Sequence, residues 1–261
     1  MKDFYTRFYT AIQHSRAYSL FCERVFGLDL GQHGFADVQQ LDLLLETAAL
    51  TPRSRALDMG CGDGRITEYL SDRSGAHFVG LDYIEAAVEA AMTRTAPKRE
   101  RLSFITGDLN HLELPAVNLL DAVISIDTLY FSEDYPRTLR QMADLLKPGG
   151  ILLILFSHGR EPWVPLEEFD PLTLPPANTP VGQALAELGF PFQTVELTDA
   201  DYRLALRRKE VLDDLRGMFE AEGNLFLYEN RMGDACGISD AIERGLQRRY
   251  LYCVQPSGRR D

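Results

Sequence analysis

The chain has 261 residues, 45% hydrophobic and 25% charged, which is the make-up of a folded globular protein and not of a disordered or fibrous one. A formal net charge of −12 argues against a nucleic-acid substrate, because phosphate backbones are held mainly by clustered Lys and Arg. No apolar run approaches the roughly 20 residues that span a bilayer, and the start, Met1 to Thr6, carries no apolar signal core.

Cys22, Cys61, Cys236 and Cys253 form no C-x-x-C pair and no metal-ligand spacing, so the expectation is a cytoplasmic protein with reduced thiols, no metal site and no membrane attachment. In chain order, apolar residues recur at helical spacing near Ser15 to Phe26 and again near Phe35 to Ala49. Between them lies the glycine- and histidine-bearing loop Asp29 to Phe35. A short strand is expected at Arg55 to Met59, followed by a turn with alternating glycines (Gly60, Gly62, Gly64) and a helix opening at Arg65. Further strands are expected at His77 to Tyr83, Leu102 to Leu109 and Asp121 to Asp127. A helix end near Leu145, a Pro148-Gly149-Gly150 turn and a fifth strand through Ile151 to Ile154 come next.

The prolines from Pro162 to Pro176 exclude regular helix or central strand there. Thr179 to Leu188 reads as a helix stopped by Gly189, and Phe192 to Leu197 as a sixth strand. Helices are expected over Ala200 to Glu222 and Ile238 to Arg248, with a last strand over Arg249 to Val254. The runs Arg207-Arg208-Lys209 and Arg248-Arg249 read as solvated helix faces. That leaves about fifty residues between the last two strands, far beyond an ordinary hairpin loop, as a helical lid or a dimerisation arm.

The glycine turn carries the functional signal. Glycine reaches positive φ without a Cβ clash, which suits a backbone bent sharply against a ligand. The dinucleotide fingerprint G-x-G-x-x-G is not met, because Arg65 follows Gly64. Asp58 and Asp63 flank the turn, and two carboxylates there would repel a pyrophosphate but suit a ligand with an amine and a sulfonium. Asp58 to Gly64 resembles motif I of the class I S-adenosylmethionine-dependent methyltransferases. The resemblance covers Arg55 to about Ser157 with specific motifs.

That resemblance implies an α/β fold: a doubly wound, Rossmann-like, seven-stranded and mostly parallel sheet whose last strand is antiparallel, with S-adenosyl-L-methionine as cofactor. The carboxylate of Asp82, with Tyr83 beside it, would accept hydrogen bonds from both ribose hydroxyls. Asp108 would hold the adenine amino group and Leu109 would pack on its ring. Asp58, Gly60, Cys61, Gly62 and Gly64 would form the turn, and Ser125 and Ile126 would run into the site. The whole chain, 1–261, reads as one methyltransferase domain. It comprises a helical cap (1–50), a cofactor-binding core (51–157), a proline-rich connection with helix and sixth strand (158–198), a helical lid (199–248) and the last strand (249–255).

On the acceptor side the candidates are His33, Asp127, Tyr130 and His158. His33 is a candidate general base, its imidazole titrating in the useful range. Asp127 would take a proton, bind an acceptor amine, or simply cap the turn after the fourth strand. Tyr130 would line the methyl path or pack in the core, and His158 follows the fifth strand. Tyr5, Phe8, Tyr9, Trp163, Phe226 and Tyr228 are candidates for an apolar acceptor pocket. The expected activity is methyl transfer to a small molecule by a monomer or homodimer. A nucleic-acid or protein methyltransferase and a non-catalytic S-adenosylmethionine-binding protein remain alternatives.

Overall fold

The computed structural model describes residues 2–112, 119–160 and 163–256. Glu161 and Pro162, the head of the expected proline-rich connection, lie outside the described residues. Three helices precede the sheet: α1 (Lys2–Ile12), α2 (Arg16–Phe26) and α3 (Val38–Ala48). The two segments with helical periodicity are α2 and α3, and α1 is an addition to them. Ser15 starts α2 by accepting the Tyr18 N–H at 3.1 Å. Asp37 does the same for α3 through the Gln40 N–H at 2.8 Å, so the helix begins after Phe35 and leaves that residue in the loop.

The sheet has seven strands: β1 (Arg55–Met59), β2 (His77–Asp82), β3 (Leu102–Thr106), β4 (Leu120–Ile126), β5 (Leu146–Gly159), β6 (Phe192–Glu196) and β7 (Gln247–Val254). Their order is β3-β2-β1-β4-β5-β7-β6. Strands β1 to β5 are parallel, and β7 runs antiparallel to both β5 and β6, as the resemblance implied. The chain reverses its strand order at β1, between β2 and β4, and a doubly wound sheet opens its ligand crevice at such a point. The Pro-Gly-Gly segment does not precede β5 but bulges within it: Leu120 pairs with Leu146, and the ladder resumes only at Ala122 with Ile151.

Helices α4 (Arg65–Ser74), α5 (Glu85–Arg94), α6 (Tyr135–Asp144) and α7 (Pro180–Glu187) cover the faces. Side-chain alternation along β5 assigns the layers. Leu152, Ile154 and Phe156 join Leu139, Met142 and Leu185 on one face, while Leu153 and Leu155 join Leu41, Leu44 and Leu70 on the other. Each of these leucines contributes about 1.5–3 kcal/mol by burial. The proline-rich stretch folds as short 3₁₀ turns, as the missing N–H donors require.

Two long helices, α8 (Thr198–Ala221) and α9 (Leu225–Glu243), separate β6 from β7. The expected helix from Ile238 to Arg248 therefore starts earlier and stops sooner. Gly233 and Gly237 lie inside it and the buried Arg231 interrupts its apolar pattern, which hides its first turns from periodicity. Its end is set by Gly245, after which β7 begins. Helices α1, α2, α8 and α9 share a third core of Phe8, Phe21, Leu212, Phe219 and Leu227. Among the described residues no helix is long and apolar enough to cross a membrane.

Candidate active site

A cavity of about 350 Å³ opens at the carboxyl ends of β1 to β4. Its floor is the glycine turn, where Gly60, Gly62 and Gly64 all adopt positive φ, at 76°, 54° and 73°. A Cβ on Gly60 would overlap the Thr128 side chain, one on Gly62 the Tyr9 hydroxyl, and one on Gly64 the Phe104 ring. The turn is thus closed to side chains by backbone conformation and by space. Gly60, Cys61 and Gly62 line the cavity, whereas Gly64 serves the packing of α4 on the sheet.

Asp82 stands at the end of β2, 7% exposed. One oxygen accepts the Gly62 N–H at 2.8 Å and the other the Ile84 N–H at 2.9 Å. The Tyr83 N–H is a third backbone donor to it, so the carboxylate is held at the cavity edge by the backbone around it. Burial nonetheless raises its pKa above the usual range. Asp108 folds back on the Asn110 N–H through Oδ1 at 2.8 Å, and among the described residues Oδ2 carries no hydrogen bond. Tyr83, Leu109 and Ile126 also line the cavity.

Two expected cofactor residues lie elsewhere. Asp58 is 3% exposed beneath the turn, where it accepts the Thr67 hydroxyl at 2.6 Å, and burial pushes its pKa up to about 6. Ser125 is buried with its hydroxyl unpaired and does not reach the cavity.

Of the acceptor-side candidates, His33 and Asp127 line the cavity. Asp127 has φ of 51° and caps nothing; Thr128 takes the cap position of the next turn. Its Oδ1 accepts from Arg249 Nη1 at 2.7 Å and from the Tyr130 hydroxyl at 3.2 Å. Its Oδ2 accepts from Arg249 Nη2 at 3.0 Å and from the Phe35 N–H at 2.7 Å. With four lone pairs filled, it has none left for an acceptor proton or amine. Arg249 is fully buried on β7 and also reaches Gln40 and Ser157, at 3.1 Å and 3.0 Å. The reading of Arg248-Arg249 as a solvated helix face holds for neither element nor burial: both lie on a strand, and only Arg248 faces solvent.

The His33 Nε2 sits 3.1 Å from Arg231 Nη2 of α9, whose other amino group bonds the His33 carbonyl. A guanidinium only donates, so Nε2 accepts and the ring proton resides on Nδ1. Burial, then the charges of Arg231 and Arg208, hold its pKa well below the ordinary imidazole value. Arg208, expected on a solvated face, is buried on α8 against the Phe35 ring, 4.8 Å from its centroid. Tyr130 reaches Asp127 through its hydroxyl, but its ring lies outside the cavity and is 40% exposed. His158 is not at the site: its Nε2 lies 2.9 Å from the Tyr252 hydroxyl on the β6–β7 side of the sheet, and burial pushes its pKa down to about 3.

Among the candidate aromatics, Tyr5 and Tyr9 of α1 line the cavity, and Phe8 packs behind His33 with ring centroids 4.7 Å apart. Trp163 is 77% exposed, and Phe226 and Tyr228 belong to the helical core. Sequence reasoning singled out neither Asn110 nor Phe131. Asn110 ties the two together by donating to the Phe131 carbonyl at 3.0 Å. Its one sequence signal was an Asp-x-Asn pair just after a strand, the pattern of an Asx turn. No group of three or more His, Cys, Asp or Glu suited to a metal occurs among the described residues.

Comparison with known proteins agrees with this geometry. Residues 57–154 match a family model described as a methyltransferase domain. A phosphoethanolamine N-methyltransferase of Triticum aestivum is 30% identical over 168 residues, covering 64% of this chain and 32% of that protein. The chain spans about a third of the length of this and similar plant proteins. Among solved structures, Haemonchus contortus phosphoethanolamine N-methyltransferase 2, in complex with phosphomonomethylethanolamine and S-adenosylhomocysteine, superposes with a TM-score of 0.74. It is 17% identical over 96% of this chain and 60% of that one. The [4+2]-cyclase SpnF has the same fold at a TM-score of 0.64 and 20% identity, over 84% of this chain and 82% of that one. Residues 57–154 thus match a methyltransferase domain, and the chain shares the fold of these solved structures.

Proposed function

We propose that this protein transfers a methyl group from S-adenosyl-L-methionine to a small-molecule acceptor in the cavity at the carboxyl ends of β1 to β4. The observation that carries this reading is Asp82: a planar carboxylate at the end of β2, pinned by backbone N–H groups and lining the cavity beside a bare glycine turn. That is what a ribose diol requires. Asp108 has an oxygen available for an adenine amino group, and Leu109 supplies the apolar surface for its ring. Bound there, S-adenosyl-L-methionine supplies an electrophilic methyl group on a sulfonium.

The chain's own residues then have two tasks, to hold the acceptor in line and to exclude water. The loop from Leu30 to Gly34 and the rings of Tyr5 and Tyr9 close over the turn for the second. We read α8 and α9 as a lid, because they pack on α2 and because Arg231 of α9 holds that loop by His33. His33 acts as a positioning and desolvating group in this reading, since its Nε2 is occupied and its imidazole stays neutral. The net charge of −12 favours small acceptors over nucleic acid, and we read the protein as a cytoplasmic monomer or homodimer.

Incubating the purified chain with methyl-labelled S-adenosylmethionine and pools of small metabolites tests this. Label should pass to a low-mass acceptor as S-adenosylhomocysteine accumulates. No calorimetric binding of either adenosyl compound would end the proposal.

A further inference from the structure

The cavity wall carries four carboxylates, Asp63, Asp82, Asp108 and Asp127, and among the described residues that line it there is neither lysine nor arginine. The arginines nearest to it are engaged with other groups: Arg249 with Asp127, Arg65 with Asp63, and Arg231 with Asp234 and His33. The one imidazole in the wall is held neutral by burial and by Arg231. A phosphate monoester brings a charge of about −1.5 to −2 at neutral pH. Such a group is normally offset by guanidinium or ammonium donors, and the wall offers none among its described residues.

Aromatic rings line the cavity beside the glycine turn, which Tyr9 meets at Gly62. The Tyr5 ring lies 4.9 Å from His33, 6.0 Å from Phe131 and 6.4 Å from Tyr9, centroid to centroid. Burial pushes the Tyr5 phenol up to about 12, and Tyr9 well above its ordinary value, so both meet the cavity as uncharged hydroxyl-bearing rings. Neutral aromatic faces in a desolvated pocket attract ammonium groups through the ring quadrupole.

From this geometry we infer that the acceptor is a small amine that carries no phosphate, seated against Tyr5, Tyr9, His33 and Phe131. The inference rests on the methyltransferase reading and narrows it, away from the phosphorylated amines in the names of the wheat and Haemonchus proteins. The amine, an ammonium at neutral pH whether primary, secondary or tertiary, first releases one proton to water. Its nitrogen lone pair then forms the N–C bond as the S–C bond breaks, and that electron pair stays on sulfur as a neutral thioether. Positive charge passes from sulfur to nitrogen, and the product ammonium remains against the same rings.

The test uses the full chain loaded with S-adenosylhomocysteine, whose binding is measured first by calorimetry. 2-(Dimethylamino)ethanol and its phosphate ester are then titrated separately. The free amine should bind, the phosphate ester at least about ten-fold more weakly, and Tyr5→Leu should cost the amine about ten-fold more affinity than it costs S-adenosylhomocysteine. Equal or tighter binding of the phosphate ester overturns the inference. So does binding of neither probe to the loaded protein, while the methyltransferase reading stands. If S-adenosylhomocysteine itself does not bind, that reading falls and this one with it.

Discussion

Two carboxylates stand at strand ends along one rim of the sheet, and the fold uses them in opposite ways. Asp82, at the end of β2, is held only by backbone N–H groups, with no cation paired to it among the described residues, and keeps acceptor capacity for something outside the chain. Asp127, just past the end of β4, is saturated by Arg249, Tyr130 and Phe35. Both face the same cavity, but only one is available to a ligand there. The difference lies in a guanidinium from β7, 122 residues further along the chain. A strand-end acid is therefore a binding group or a structural tie according to what the far end of the sheet brings beside it.

The largest test of that contrast is Arg249→Met. It strands Asp127, and with it the 2%-exposed Asp201, as unpaired buried carboxylates. Breaking a buried pair from one side costs about 3–5 kcal/mol, read as a lower urea midpoint. An unchanged midpoint would mean that Asp127 is not tied down and the two acids are not different in kind.

Asp82→Ala attacks the other side. Loss of charge-assisted hydrogen bonds should weaken S-adenosylhomocysteine by about 1.5–3 kcal/mol in calorimetry. Unchanged affinity would remove Asp82 from the site.

The third test separates a buried titratable group from the site altogether. His158 is pushed down to about 3, while an imidazole in the unfolded chain titrates near about 6.5. Between those values the unfolded chain binds a proton that the folded chain refuses. The neutral imidazole's contribution is thus complete above the unfolded value and declines as pH falls, by up to about 1.4 kcal/mol per pH unit. Wild type should lose about 1 kcal/mol more than His158→Gln between about pH 7.5 and 5.5. Asp58 and Asp201, both raised to about 6, act in the reverse direction in both proteins and cancel from the comparison. Parallel stability profiles would show that His158 is not held neutral.

The smallest effect belongs to the neighbour of Arg249. Arg248 pairs with Glu196 at 3.0 Å, but their side chains are 46% and 49% exposed. Arg248→Ala should therefore move stability by less than about 0.5 kcal/mol, against several for the residue next to it. A large loss would show that position on the strand is no guide to the worth of these arginines.

Much of the glycine-turn end of the cavity was legible in the sequence. The sheet's strands, the glycine turn, Asp82, Tyr83, Asp108, Leu109 and Ile126 fall where local pattern put them. Asp58 and Ser125 share that pattern, but their side chains go below the turn instead of into the cavity. The acceptor end was less legible. Tyr5 and Tyr9 looked no different from Phe226 or Tyr228, and His33 no different from His158, until packing separated them. The arginine runs 207–209 and 248–249 misled, because a charged residue is usually solvated and nothing nearby in the chain announces a distant partner.

The sequence by itself determined what depends on short-range sterics: where strands break, where the backbone turns through positive φ, and which residues end each parallel strand. Positive φ at Gly60, Gly62 and Gly64 is a property of a few consecutive residues. Only the tertiary structure decided which charges are spent and which remain. Arg249 meets Asp127, and Arg231 meets His33, because the sheet order and the α8–α9 pair carry them there. In a desolvated interior the state of an ionisable group is set by its neighbours in space, and those neighbours are distant in sequence.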